Sequence, residues 1–398
     1  MGLFPKSLRA VMAVLVACTA GVAGAQPVPP VQQSIDGVPI SMKIAARDGF
    51  LPPPQLAPPP VEIPPYEGQD AEFPCIPQGP PKGVWVAGAE VIWLQRSQAS
   101  TFLLAEARDP TTGALAGTMT SDANITATPG QRVWFRRVLS DWTSLETAYT
   151  GINQWASSGT LLGDPAGPLL SSPWLSVDNL AALGGGFNSS VTFNYTSQLH
   201  SAELNLRRRF YRGDFWTASA VSGIRFLYLG EQFGLNGFDT SGAEEHLNIR
   251  TQNNLLGLQF GGDARCQVNP RLQMELVTRG GMFMNFASQQ TQNTNNADAV
   301  LGPLPPGSLP PLVNGSANQT SFSGMLQVGL NGIYQLHERF ALRGGYQVWM
   351  ISGLALAPEQ LNGIASAAGN VNTLTGNTLN DNGRLVMYGP TAGFEYRW

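Results

Sequence analysis

Along much of this chain, apolar and polar positions alternate with a period of two. The clearest stretch is Arg384 to Trp398, RLVMYGPTAGFEYRW. Val386, Tyr388, Pro390, Ala392, Phe394, Tyr396 and Trp398 fall on one side. Leu385, Met387, Gly389, Thr391, Gly393, Glu395 and Arg397 fall on the other, which is small or polar towards the end. A period of two with unlike sides predicts a β-strand between two environments. Aromatics rim the apolar side at both ends, as on a strand that crosses hydrocarbon between two interfaces. Taken alone, the last strand of a soluble β-protein fits this stretch equally well.

The pattern recurs upstream. Trp85, Ala87, Ala89, Val91 and Trp93 alternate with Val86, Gly88, Glu90 and Ile92. From Leu199 to Tyr211, Ala202, Leu204, Leu206, Arg208 and Phe210 oppose Ser201, Glu203, Asn205, Arg207 and Arg209. After a turn at Arg212-Gly213-Asp214, Ile224 and Phe226 oppose Arg225 and Glu231. Leu256, Leu258 and Phe260 then face away from Asp263 and Arg265, and Leu276, Met282 and Met284 from Glu275 and Arg279. Leu326, Val328 and Leu330 alternate with Gln327 and Asn331, and Leu342 and Tyr346 with Arg343 and Gln347. A weaker signal over residues 131–153, with Val133, Phe135, Leu145 and Tyr149, predicts a hairpin turning near Ser140-Asp141.

Short turns near 140–143, 212–214, 268–271 and 337–339 alternate with long polar connections near 99–130, 155–198, 232–245, 288–320 and 357–383. That asymmetry predicts a closed antiparallel up-and-down transmembrane β-barrel, all-β, with both ends of the barrel on the short-turn side and an even number of strands. The count is about ten; twelve if Phe102 to Arg108, or part of another long connection, adds a hairpin. The polar rows then face a lumen that holds Glu90, Glu203, Arg207, Arg209, Arg225, Asp263, Arg265, Glu275, Arg279, Arg343, Glu395 and Arg397. Closure also removes the open edges of a sheet.

Composition agrees. Charged residues make up 13% of the 398 residues, about half the share usual for a soluble protein. Mean hydropathy is −0.06, too low for a bundle of spanning helices. The net charge of −4 does not suit nucleic acid. Lys6 and Arg9, the apolar run Ala10–Val22 and Ala23-Gly24-Ala25 read as a signal peptide over residues 1–25. Leu15-Val16-Ala17-Cys18 offers a rival reading, a lipidated Cys18. Residues 26–82 carry more than half of the prolines and read as an extended or disordered linker, with the barrel over 83–398. A Cys75–Cys266 bridge fits an oxidising compartment, but nothing specifies it.

Several stretches together resemble a family of β-barrel porins, the seventh of a numbered series, which has no established activity. They are Trp85–Trp93 (WVAGAEVIW), Ala148–Trp155 (AYTGINQW), His200–Arg207 (HSAELNLR), Gly223–Glu231 (GIRFLYLGE), Asn254–Gly261 (NLLGLQFG), Leu354–Gln360 (LALAPEQ) and Tyr388–Trp398. Val91-Ile92-Trp93 stands where that family has a more aromatic run. The resemblance implies an outer-membrane location and a porin-like label, and carries over no catalytic or binding residue. The C-terminal strand also resembles those on which outer-membrane barrels end, with Tyr388, Phe394, Tyr396 and Trp398 closing the barrel. It implies outer-membrane lipid and the barrel-assembly machinery as partners; partners of the loops stay open.

Chemistry is sparse. His200, His246 and His337 lie outside any metal motif, and there is no nucleophile elbow or phosphate-binding loop. No cofactor, metal or enzymatic activity is expected. The one cluster worth naming is His246 with Asp239, Glu244 and Glu245 near an outer loop, a candidate rim hydrolase, although a solvated charged loop explains it as well. The lumen charges admit two readings: a charge-lined path for passive passage of small solutes or ions, or paired charges that plug a narrow barrel. The second makes the protein a closed structural or surface-recognition barrel that displays loops 155–198, 288–320 and 357–383.

Overall fold

The computed structural model describes residues 83–97, 101–109, 112, 114–121, 125–163, 169–172, 174–175, 188–239, 242–296, 314–363 and 378–398. The expected signal peptide, the linker, Cys18 and Cys75 lie outside them. Cys266 is an exposed free thiol.

The described strands are β1 (Trp85–Arg96), β2 (Leu103–Arg108), β3 (Leu115–Thr120), β4 (Thr128–Val138), β5 (Thr143–Leu162), β6 (Leu169–Ser171), β7 (Asn188–Arg212), β8 (Trp216–Asp239), β9 (Glu244–Gln267), β10 (Leu272–Asn295), β11 (Asn314–His337), β12 (Phe340–Leu354) and β13 (Gly383–Arg397). A 3-10 helix, Pro358–Gly363, stands between the last two. Ten strands form a closed antiparallel ring in the order β1-β4-β5-β7-β8-β9-β10-β11-β12-β13, and β13 returns to β1. At that seam the Trp85 N–H donates to the Trp398 carbonyl (2.9 Å) and the Trp398 N–H to the Trp85 carbonyl (3.0 Å). The hairpin considered as a twelfth-strand option does form, as β2 and β3, but outside the ring. It joins β6, which touches only the start of β7.

Alternation sets the two faces of the wall. Leu204, Ile224, Leu258, Phe260, Met282, Leu326, Leu330 and Leu342 are exposed on the outside. Trp142, Tyr211, Phe215, Trp216, Tyr334, Tyr396 and Trp398 are exposed near the short-turn end, and Trp93, Phe286 and Phe322 higher up. On β11, Tyr334 and Phe322 are twelve positions apart. That is about 40 Å along a strand and about 28 Å if it tilts by about 45°, the height of a hydrocarbon layer with its interfaces.

The sequence reading made the strands too short. β7 has 25 residues and β8 to β11 have 24 each, whereas β1, β4, β12 and β13 have 11 to 15. One arc of the barrel is therefore taller at the long-loop end. The connection expected over 232–245 shrinks to residues 240–243. Asn194, Asn314 and Asn318, which fall within the connections expected over 155–198 and 288–320, are strand residues. Above the apolar belt the outer face meets water, so apolar alternation stops there while the hydrogen-bond ladder continues.

Candidate functional site

The lumen has three levels. Nearest the short turns is a cavity of ≈ 460 Å³ whose lining includes Arg136, Arg207, Arg209, Arg212, Arg265 and Arg397. Above it lies a layer of ion pairs. Arg343 is its hub, donating from Nε to Glu90 (2.9 Å), from Nη2 to Glu275 (2.5 Å) and from Nη1 to Glu395 (3.1 Å). Glu275 also accepts from Arg265 (2.8 Å) and Glu395 from Arg397 on its own strand (2.9 Å). Across the barrel, Glu146 holds Arg136 (2.6 Å) and Arg207 (3.0 Å). Arg207 also bonds Asp263, which takes Arg279 at 2.7 Å. Trp134 lies beneath the Arg136 and Arg343 guanidinium groups, 5.1 and 5.7 Å from its ring centre. A small cavity of about 20 Å³ lies among Arg132, Trp134, Glu146, Asp263, Arg279 and Arg343.

Arg225 marks the upper boundary. It is fully buried, 4.6 Å from the Trp349 ring centre, and donates to Ser201 (2.8 Å) and Gln327 (3.1 Å), with Glu203 at 3.6 Å. Glu203 in turn accepts from Asn205 and Gln259.

Above Arg225 a large apolar cluster fills much of the interior, beside buried polar residues of β9 and β10 that include Thr251, Asn253, Asn285, Gln289, Thr291 and Asn293. Ile92, Leu94, Ile152, Trp155, Leu199, Leu227, Leu229, Trp349, Leu385 and Met387 form one buried cluster. The chain leaving β12 folds into it: Leu354, Ala355, Leu356, Ala357 and Leu361 have no exposed surface. Gly353 makes that entry at φ +79°, where the β12–β13 register shifts and a side chain would press on the Phe322 carbonyl. The plug is tied to the wall by polar groups. Asn253 exchanges two bonds with Ala355 (2.7 and 2.8 Å), and the Ala357 N–H donates to Glu231 (2.8 Å). Glu231 also takes Arg96 (2.7 Å) and the Tyr195 hydroxyl (2.7 Å), so one ion pair stands inside the apolar half. Higher still, Leu104, Leu170, Trp174 and Leu175 cover Phe233, Leu235, Leu247 and Ile249 of the tall arc in the same cluster. This cap is built by β2, β6 and the residues after β6, and Trp174 and Ser172 bond the carbonyls of Leu103 and Leu104.

Among the twelve charges read as lumen-facing, Glu90, Glu203, Arg225, Asp263, Glu275, Arg279, Arg343 and Glu395 are buried, and Arg207, Arg265 and Arg397 are partly buried in the same network. Arg209 is partly buried and has no acid within salt-bridge range among the described residues. The sequence reading missed Arg96, Arg132, Arg136 and Glu146. Their signal was present, since Arg132 and Arg136 alternate with Val133 and Phe135. The ion pairs of the lumen gather in the short-turn half, and above them buried polar side chains are mixed with apolar ones. Of the rim cluster, His246 is half exposed, 3.4 Å from Glu244 and bonded to Asn236, Glu245 is buried on the other face of β9 and bonded to Asn293, and the Asp239 side chain lies outside the described ones.

Fold and filling together define a closed, plugged ten-stranded barrel with an apolar outer belt. No family model and no curated protein matches the chain, so the numbered porin family is not shown. Solved structures similar to it include the outer membrane protease OmpT from Escherichia coli (10% identity, 79% of this chain and 97% of that chain, TM-score 0.35). The translocator domain of autotransporter NalP from Neisseria meningitidis is another (12%, 80% and 90%, TM-score 0.31). A third is the outer membrane protein OprG from Pseudomonas aeruginosa (11%, 81% and 98%, TM-score 0.24). Likenesses this distant say nothing of what the chain does.

Proposed function

We propose that this protein is an outer-membrane β-barrel closed at rest, acting through the surfaces at its ends rather than as a standing pore. The apolar belt with its aromatic rims supports the outer-membrane location and contact with lipid. The aromatic edge of β13, from Tyr388 to Trp398, supports recognition by barrel-assembly machinery. The observation that carries the closed reading is the doubly filled lumen: an ion-pair layer joined at Arg343 and, above it, an apolar plug entered at Gly353. Passive passage of small solutes would require both layers to part. In planar lipid bilayers the purified full chain gives no steady single-channel steps at low voltage. Reproducible open steps would overturn the closed reading and restore passive passage.

A further inference from the structure

The closed layers leave one chamber of the lumen open, at the short-turn end, and its wall is built unevenly. On β7, β8 and β9 the groups facing this chamber include Arg207, Arg209, Arg212, Thr217, Ser219 and Arg265. The register sets them side by side: Arg209 opposite Ser219, Arg212 opposite Thr217, and Thr217 opposite Arg265. Asp263 is the acid among them, and it is already taken by Arg207 and Arg279.

Arg212 reaches the chamber through a bulge. The β7–β8 register shifts between Arg209 and Tyr211, so one extra residue stands in β7. Tyr211 then lies outside, stacked on Trp216 at 4.0 Å, and Arg212 joins Arg209 in the chamber lining. A regular strand would keep Arg207 and Arg209 on the inner face and turn Arg212 outward. Bulges re-aim side chains in this way. The fold gains no ion pair from it: neither guanidinium has an acid within 4 Å or a side-chain hydrogen bond among the described residues. Thr217 and Ser219 likewise bond no side chain there. Of the remaining acids in the lining, Glu395 is taken by Arg343 and Arg397, and Asp141, Asp214 and Glu338 are exposed on the turns.

Two unpaired guanidinium groups with hydroxyls between them, in a concave wall, match an oxyanion with several acceptor oxygens. Guanidinium forks bind phosphate through paired, charge-assisted hydrogen bonds. Hydroxyls add donors that ask for no counter-charge. The chamber volume of ≈ 460 Å³ exceeds a single phosphate and leaves room for a second phosphate or an organic group. We infer that the short-turn chamber is a binding site for a small multiply charged anion of the phosphate class, held by Arg209 and Arg212 with Thr217 and Ser219. The site is independent of whether the lumen above it conducts.

Isothermal titration of inorganic pyrophosphate into the full chain, folded in a zwitterionic detergent, tests this. Saturable one-site binding that weakens with added salt is expected. Arg209→Gln and Arg212→Gln each weaken it at least about tenfold, the scale of one lost charge-assisted bond at about 1.4 kcal/mol per decade. Arg208→Gln removes the same charge from the exposed outer face of β7 and leaves binding unchanged. Heat-modifiable mobility on a gel confirms that each variant is folded. Absence of saturable binding, or an equal loss in Arg208→Gln, overturns the assignment.

Discussion

On β13, Leu385 and Met387 enter an apolar core, and ten residues after Leu385 the side chain of Glu395 sits in an ion-pair layer. β1 repeats the change in reverse, from Glu90 to Ile92 and Leu94. The same strands thus close one lumen by two kinds of packing. The outer half gains by removing apolar surface from water, at about 25 cal/mol per Å². It is non-directional and tolerates exchanges that conserve volume. The inner half gains little net energy from its charges, because desolvating them costs about what their attraction returns. What that half acquires is mutual dependence: Arg343 serves three acids from three strands, so the loss of one member leaves the others buried without it.

The sharpest way to break this contrast is Arg343→Met. Glu90, Glu275 and Glu395 lose their shared cation, and Glu90 keeps only Arg132, at 3.8 Å. The expected loss is about 3–5 kcal/mol, as for breaking a buried pair from one side. Reversible urea unfolding in detergent measures it. A loss below about 1 kcal/mol would show that water already enters the layer and screens the acids.

In the apolar half, Leu361→Ala should cost less, about 2–3 kcal/mol, because the neighbouring chain can partly close the space. Leu361 belongs to the plug and is fully buried, so the same unfolding experiment compares the halves directly. A cost near zero would mean that the plug leaves the lumen readily, and the equivalence of the two closures would fail.

How much of this was legible in the residues depends on the solvent each face meets. Within the belt, lipid demands Leu204, Leu258 or Leu330 at every outward position, so strand order, parity and closure could be read from alternation. The acids and arginines opposite them could be placed for the same reason. The tall arc could not, because Gln232 and Asn248 lie where water tolerates either polarity and strand reads like loop. The plug was invisible for another reason: Leu354-Ala355-Leu356-Ala357 has no period of its own, and its burial depends on Gly353 turning the chain inward. Ile92, Leu94, Leu385 and Met387 offered a hint, being apolar on a face read as polar. Arg212 was taken for a turn residue because a bulge shifts parity by one position, which alternation alone cannot register.

The finest test of the contrast uses the ion pair that stands in the apolar half. Arg96 and Glu231 are fully buried and 2.7 Å apart, with Arg96 Cζ 5.3 and 5.8 Å from the ring centres of Tyr195 and Trp155. Arg96 Nη2 has no acceptor, so this pair is incompletely compensated. Arg96→Met alone leaves the Glu231 charge buried with only the Tyr195 and Ser197 hydroxyls and the Ala357 N–H, and should cost about 3 kcal/mol. In Arg96→Met with Glu231→Gln, the amide oxygen still accepts from Ala357 and no charge is left behind. The double variant should fall within about 1 kcal/mol of the parent, since a buried pair replaced as a pair is often neutral. No such rescue is available at Arg343, where three carboxylates from three strands would have to change together. If the double variant is as unstable as Arg96→Met, the pair anchors the plug by its charge, and the two halves of the lumen obey one rule instead of two.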